Sequence, residues 1–392
     1  MDLTLLRMSH AQLMHGFFCT VILLLSHVHR LVNCHTTNMF AERSTGGQLR
    51  NFVFDSHTNS LYVGSVNSLY WLSGELGMLN SLELGPLNDH ANCSFNLQED
   101  CSQTRVPTPA IIQALAINAN SRILIVCSTL YHGSCRTVDM RSFVPLTYFY
   151  KPLVSNDPDG STVMFIGPGI ESGGVLYVAT SYSNIGLPVH RNAVGMISVR
   201  NIFSLDLSSK SSTTSSVINV LPNYRMTFPV EFVGGFHYRN YVYFFVNHPD
   251  SFVVLNRRSS FVMRICKDDS KLQSFVEIPI ECKIGGVVYQ RLQDVTLATL
   301  GKVLADGLKA GSDAVFGAFT HDSGASTKES AVCVYSMDNI EKKFQETIQS
   351  CYDGSFFTGP AFITKQKVCS PKVSYGCGAV LFDTVISFCC FV

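Results

Sequence analysis

Cysteine is the residue whose number and spacing could do most chemistry in this 392-residue sequence, which contains 14 of them. Zinc binding would need paired ligands at short spacing, such as C-x-x-C, and no such pair is present. The twelve histidines are scattered, with no H-E-x-x-H, and no serine or cysteine sits in a recognisable nucleophile setting. Asn156-Asp157-Pro158-Asp159-Gly160 invites a calcium reading. An EF-hand loop counted from Asp157 would place Thr162 where glycine is needed and Pro168 where the bidentate glutamate is needed, so it fails. Ser155, Asp157, Gly160 and Thr162 approach the S-x-D-x-G-x-T box of sialidase propellers, but with one residue too many and only once. A glycosidase also needs a pair of carboxyls, or an equivalent nucleophile and acid, converging on one cleft. Gly167-Pro168-Gly169 and Gly173-Gly174 match a phosphate loop in glycine count alone, since the next segment reads as a strand and not a helix N-terminus. The reading is therefore no enzyme, no cofactor and no metal, with a propeller glycosidase or sialidase kept as the alternative from another class.

The cysteines make better sense in an oxidising compartment. Arg7 precedes an apolar run from Phe17 to Leu25, too short for a membrane span but of the right length for a signal-peptide core. Val32 and Cys34 suit a cleavage site after Cys34, so residues 1–34 are expected to be a signal peptide. Its removal takes Cys19 and Cys34 and leaves twelve cysteines, an even, dense set that reads as a disulfide framework. Asn92-Cys93-Ser94 is a glycosylation acceptor at Asn92. Charged residues make up 15% of the chain and formal net charge is zero, which gives no electrostatic case for nucleic acid or an anionic membrane.

The elements that must position these residues read as strand after strand. Leu61–Gly64, Ile123–Cys127, Leu176–Thr180, Tyr241–Phe245 and Ala314–Ala318 are rich in Val, Tyr and Phe, which suit a half-buried pleated surface. Most are preceded by turn formers, such as Asp55–Asn59 and Asn118–Ser121. Their loose recurrence, about every sixty residues, points to a propeller with decorated blades. A chain of small β-sandwiches competes, but would want linkers near every hundred residues, and Ser208–Ser216 is the only stretch of that composition. Met337–Phe344 reads as a short helix, and Gln290–Leu300 as a weaker helical candidate.

Particular residues then narrow the reading. Leu61-Tyr-Val-Gly-Ser-Val-Asn-Ser-Leu-Tyr70 resembles the first-blade signature of sema domains. Gly85-Pro-Leu-Asn-Asp-His-Ala-Asn-Cys93 followed by Cys101, and Cys127-Ser-Thr-Leu-Tyr-His-Gly-Ser-Cys135, are similar to patterns of the plexin family. Asn156–Val163, Arg264–Asp269 with Glu277–Cys282, Ala331–Tyr335 and Gln349–Tyr352 fit the same family in order, so the resemblance runs from about Gly47 to Cys377. It implies an all-β, seven-bladed sema-type β-propeller, incomplete at the last blade. It also implies bridges Cys93–Cys101, Cys127–Cys135, Cys282–Cys333, Cys351–Cys369 and Cys266–Cys377.

The expected organisation is a signal peptide (1–34), a partial sema domain (47–377) and an apolar tail (378–392) without family resemblance, in which Cys389 and Cys390 have no evident partner. The function implied by the resemblance is the extracellular ligand-binding head of a semaphorin receptor in cell or axon guidance, acting by protein–protein contact. Its partner would be a semaphorin, with homodimerisation or a co-receptor left open and no membrane span in this chain. The location would be the secretory pathway, outside the cell or in a plasma-membrane ectodomain. A secreted decoy that sequesters semaphorin is the alternative within the binding class. No ligand-contact residue can be named from the sequence.

Overall fold

The structure, a computed structural model, describes residues 38–41, 48–169, 171, 173–191, 194–209, 215–225, 227–249, 258–308, 313–321, 329–353 and 358–364. The expected signal peptide, the apolar tail and Cys369, Cys377, Cys389 and Cys390 lie outside the described residues.

Strands dominate, and almost all join in antiparallel meanders. The first sheet takes Asn51–Asp55 (β1), Ser60–Gly64 (β2), Ser68–Ser73 (β3) and Met78–Glu83 (β4). Leu87–Asp89 (β5) and Val106–Thr108 (β6) form a two-stranded ribbon. The second sheet is Ile112–Asn118 (β7), Ile123–Ser128 (β8), Cys135–Asp139 (β9) and Pro145–Phe149 (β10). The third holds Thr162–Gly167 (β11), Val175–Thr180 (β12), Ile197–Asn201 (β13) and Val217–Ile218 (β14). The fourth holds Glu231–Tyr238 (β15), Tyr241–Pro249 (β16), Arg258–Cys266 (β17) and Val276–Ile280 (β18). Cys282–Ile284 (β19) pairs with Val287–Tyr289 (β20), and Arg291–Thr299 (β21), Asp313–Thr320 (β22) and Ser330–Ser336 (β23) form a three-stranded sheet.

The five apolar segments read from the sequence fall in β2, β8, β12, β16 and β22, the second strand of each meander. Those strands have neighbours on both sides and pack on both faces, so their residues are apolar without alternation: all six residues of β12 are buried. The Gln290–Leu300 segment is a correction. Its Gln, Leu and Ala favour helix, but register with β22 from Arg291–Thr320 to Thr299–Asp313 makes it a strand, because tertiary pairing overrides a weak local preference. The Met337 helix is real and longer than expected, running to Tyr352. Met337, Ile340, Phe344 and Cys351 are buried at helical spacing, and most of the polar residues between them, such as Asp338, Lys342 and Glu346, face water.

The chain divides into two compact units, Phe40–Ile280 with Glu341–Val392 and Met1–Met39 with Glu281–Ile340. Within the larger unit the first strands of successive sheets touch in series, β1 to β7, β7 to β11 and β11 to β15. This is how blades stack in a propeller, with each joint filled by apolar side chains. Tyr62, Leu69, Ile112, Leu124 and Phe143 fill the first joint, Ile125, Leu153, Met164 and Val178 the second, and Tyr177, Val199, Val230, Phe244 and Met263 the third. A late segment, Thr358–Thr364, also belongs to the third joint. Leu221 N–H donates to Phe362 O (2.7 Å), Glu277 N–H donates to Thr358 O (2.8 Å), and the Phe362 ring lies 4.1 Å from that of Phe228. In the smaller unit Cys282 of β19 is bridged to Cys333 of β23, and Tyr335 donates its hydroxyl to Glu281 O (2.9 Å).

Candidate interaction site

Three sequence motifs that lie far apart in the chain meet at one place in the larger unit. At its centre is Leu130–Gly133, a tight turn between β8 and β9 in which Tyr131 (φ 49°), His132 (φ 62°) and Gly133 (φ 84°) all adopt the left-handed conformation. Such a run is costly for residues with a Cβ, on the order of 1–3 kcal/mol each, and survives only where surroundings hold it. Here they do. The half-cystines Cys127 and Cys135 face each other across β8 and β9 with Cα atoms 4.0 Å apart, and their disulfide pins both ends of the turn. Asp89 Oδ2 accepts the Tyr131 backbone N–H (2.7 Å), and Tyr131 donates its hydroxyl to Asn88 O (3.2 Å). Gly133 O accepts from Leu153 and Val154 (2.9 and 3.1 Å). Any Cβ at residue 133 would strike the Val154 carbonyl, so glycine is required on two counts.

The turn is buried, and the groups around it are tuned accordingly. The Tyr131 hydroxyl is pushed up to about 12, first by burial and then by Tyr148 and Asp89. Its ring belongs to a cluster with Tyr148 and Tyr150, over which the Arg136 guanidinium lies 4.6 Å from the Tyr148 centroid.

Two loops lean on this turn. The first is 90–103, closed by the Cys93–Cys101 disulfide with Cα atoms 5.3 Å apart. His132 Nε2 lies 2.7 Å from Cys93 O. The second is 181–191, where Gly186 (φ 91°) passes so close to the Ala91 carbonyl and the His132 ring that a side chain would not fit. His190 from this loop touches Phe95 (5.8 Å) and His132 (4.4 Å between ring centroids). Asn156 donates its side-chain amide to Ile185 O (3.3 Å), which brings the Asn156–Gly160 stretch to the same edge. The outer surface of this cluster carries Leu97 (41% exposed), Leu187 (42%) and Val189 (69%), beside exposed Glu99 and Asp100. Asn92, the glycosylation acceptor, is exposed on the same loop next to bridged, buried Cys93.

Asp157 is a structural residue. Its Oδ1 accepts the Asp159 N–H (3.0 Å), its N–H donates to Ser155 Oγ (3.2 Å), and its carbonyl accepts from the Gln113 side chain (2.8 Å). Arg50 reaches the Pro158 carbonyl, so the stretch ties the approaches to β1 and β7 together. Among the described residues no group of three or more His, Cys, Asp and Glu side chains could hold a metal ion. Of the remaining cysteines, Cys266 is buried in β17 and Cys351 is disulfide-bonded, while Cys377 and Cys369, the partners the resemblance implied, lie outside the described residues.

Comparison with known proteins shows what this arrangement is similar to. The Sema domain model matches residues 292–375. Human Plexin-A4 is 27% identical over 336 residues, which are 77% of this chain and 17% of that protein, and mouse Plexin-A2 is 26% identical over 369 residues, 85% of this chain and 19% of that one. The chain is similar to the plexin sema domains. It spans about a sixth of the length of the curated relatives it matches. Its fold matches part of the plexin A4 full extracellular region, with a TM-score of 0.73, 24% identity, and coverage of 83% of this chain and 38% of the solved one. It also superposes on extracellular domains 1–2 of Drosophila Semaphorin 1a, with a TM-score of 0.52, 16% identity and coverage of 76% and 54%. The fold is thus an all-β, sema-type propeller, built here from open antiparallel sheets. No helix among the described residues is long and apolar enough to cross a membrane.

Proposed function

We propose that this chain is the extracellular, ligand-binding head of a plexin-like receptor, that its partner is a semaphorin, and that it acts by protein–protein contact without catalysis. The observation that carries the reading is the homology to plexin sema domains over more than three quarters of the chain, joined to the same fold. The candidate contact surface is the loop cluster around Leu130–Gly133. Rigid scaffolds commonly present binding residues on loops, and Leu97, Leu187 and Val189 offer apolar anchors beside a polar rim.

The same reading includes residues 1–34 as a signal peptide, residues 47–377 as the sema domain, a glycan on Asn92, and bridges Cys351–Cys369 and Cys266–Cys377. The signal peptide and the glycan rest on the apolar run Phe17–Leu25 and on the Asn92-Cys93-Ser94 acceptor, and the domain and bridges on the resemblance. The test is to express the full chain in a secretory host and present the medium to a panel of labelled semaphorins. Secreted, monodisperse protein that binds at least one, and binds at least tenfold more weakly after Val189→Asp, supports both partner and surface. Secreted, folded protein that binds none of them overturns the semaphorin reading. Loss of mass on enzymatic deglycosylation, absent in Asn92→Gln, tests the glycan.

A further inference from the structure

The loop 90–103 is held by two histidines in a way that has a consequence for acid. His132 is 4% exposed, and its Nε2 lies 2.7 Å from the Cys93 carbonyl. A carbonyl only accepts, so Nε2 carries the hydrogen and Nδ1 of the neutral ring is bare. Among the described residues Nδ1 has no hydrogen-bond partner. The His132 ring packs against that of His190, with centroids 4.4 Å apart. His190 in turn holds Phe95 of the bridged loop.

We propose that His132 and His190 form an acid-sensitive latch, which keeps loop 90–103 and helix Pro188–Arg191 seated on the Leu130–Gly133 turn at neutral pH and releases them in mild acid. Three elements meet at the pair, and their charged groups are few. Loop 90–103 contributes Glu99, the one charge that favours His190 protonation, and is preceded by Asp89, already satisfied by the Tyr131 N–H. Arg105 reaches Ser94 O and His90 accepts from the Asn92 N–H. The helix adds Arg191, turned to Asn184 O (3.0 Å).

Burial, and then His132, hold His190 below the usual histidine range, with Glu99 opposing. A released His190 returns to the usual histidine range. The open form therefore takes up a proton more readily than the closed form. Stability of the closed form is full above that range and falls as pH drops through it, until the closed form's own lowered range is reached.

Hydrogen–deuterium exchange on the full chain at pH 7.4 and 5.5, corrected for intrinsic rates, tests the latch. Protection in 91–103 and 130–134 should fall, by at most about tenfold, while β12 and β16 keep theirs. His190→Phe, which keeps a ring against Phe95, should remove the pH step. Unchanged loop protection at pH 5.5, a step that persists in His190→Phe, or loop and core strands losing protection together would each overturn it. The contrast between loop and strands in the unmodified chain decides the matter even if the variant does not fold.

Discussion

The two faces of the first sheet are built from the same strands and meet opposite fates. Residues paired across β1, β2 and β3 share a face, so Val53, Tyr62 and Trp71 lie on one and Phe54, Leu61 and Leu72 on the other. The first face is sealed against the second sheet, where Tyr62 is 1% exposed and stacks with Trp71 and Phe143 at 6.1 and 6.2 Å. Among the described residues the second face is covered only at its centre, where Phe40 lies 5.0 Å from Tyr70 beside Leu49 and Leu76. Phe54 on β1 and Met78 on β4 remain 51% and 61% exposed. A sheet thus reads as apolar on both sides whether or not both sides are filled, and strand composition reports the capacity to stack, with no information on how many neighbours are in place.

Graded substitutions sharpen this contrast. On the sealed face Tyr62→Ala should be the most damaging, costing about 3–5 kcal/mol in denaturant unfolding, because it empties the first joint. A covered face elsewhere provides a benchmark. On the fourth sheet Arg264 of β17 pairs with Glu341 at 2.8 Å, lies 4.0 Å from the Tyr241 ring and 4.4 Å from that of Phe344, and is 5% exposed. Arg264→Ala should cost about 3 kcal/mol, since it strands a half-buried carboxylate and loosens the helix. Phe40→Ala, at the partly covered centre, should cost roughly 1–2 kcal/mol, less than a fully buried aromatic. Phe54→Ser should change stability by no more than about 0.5 kcal/mol and reduce self-association in light scattering. If Phe54→Ser destabilised as strongly as Tyr62→Ala, the second face would be sealed in solution and the comparison would fail.

Much of the architecture could be read from the sequence, because strands buried on both faces have few alternatives to Val, Ile, Tyr and Phe. Strands at sheet edges were not visible. β10 and β4 are mostly exposed and polar or mixed, so nothing in their composition separates them from loops. Gln290–Leu300 misled for a related reason, since its register partner in β22 outweighed residues that suit a helix. The quoted motifs marked which segments mattered, but not that they touch. The Asp89 carboxylate on the Tyr131 N–H, the His132 ring on Cys93 O and the Asn156 amide on Ile185 O each join residues that only the folded chain brings together. His190 carried no signal at all, because a histidine in a loop is ordinary until the ring it rests on is known.

The segment Thr358–Thr364 has a consequence for the order in which the molecule can be assembled. The Asn219 N–H donates to Thr364 Oγ1 and its carbonyl accepts from the Thr364 N–H, a separation of 145 residues along the chain. Translation delivers the third and fourth sheets long before Phe362, so a ribosome-bound nascent chain holds their joint with a vacancy beside Phe228. Until residue 364 clears the exit channel, that joint leaves exposed apolar surface that a chaperone could cover.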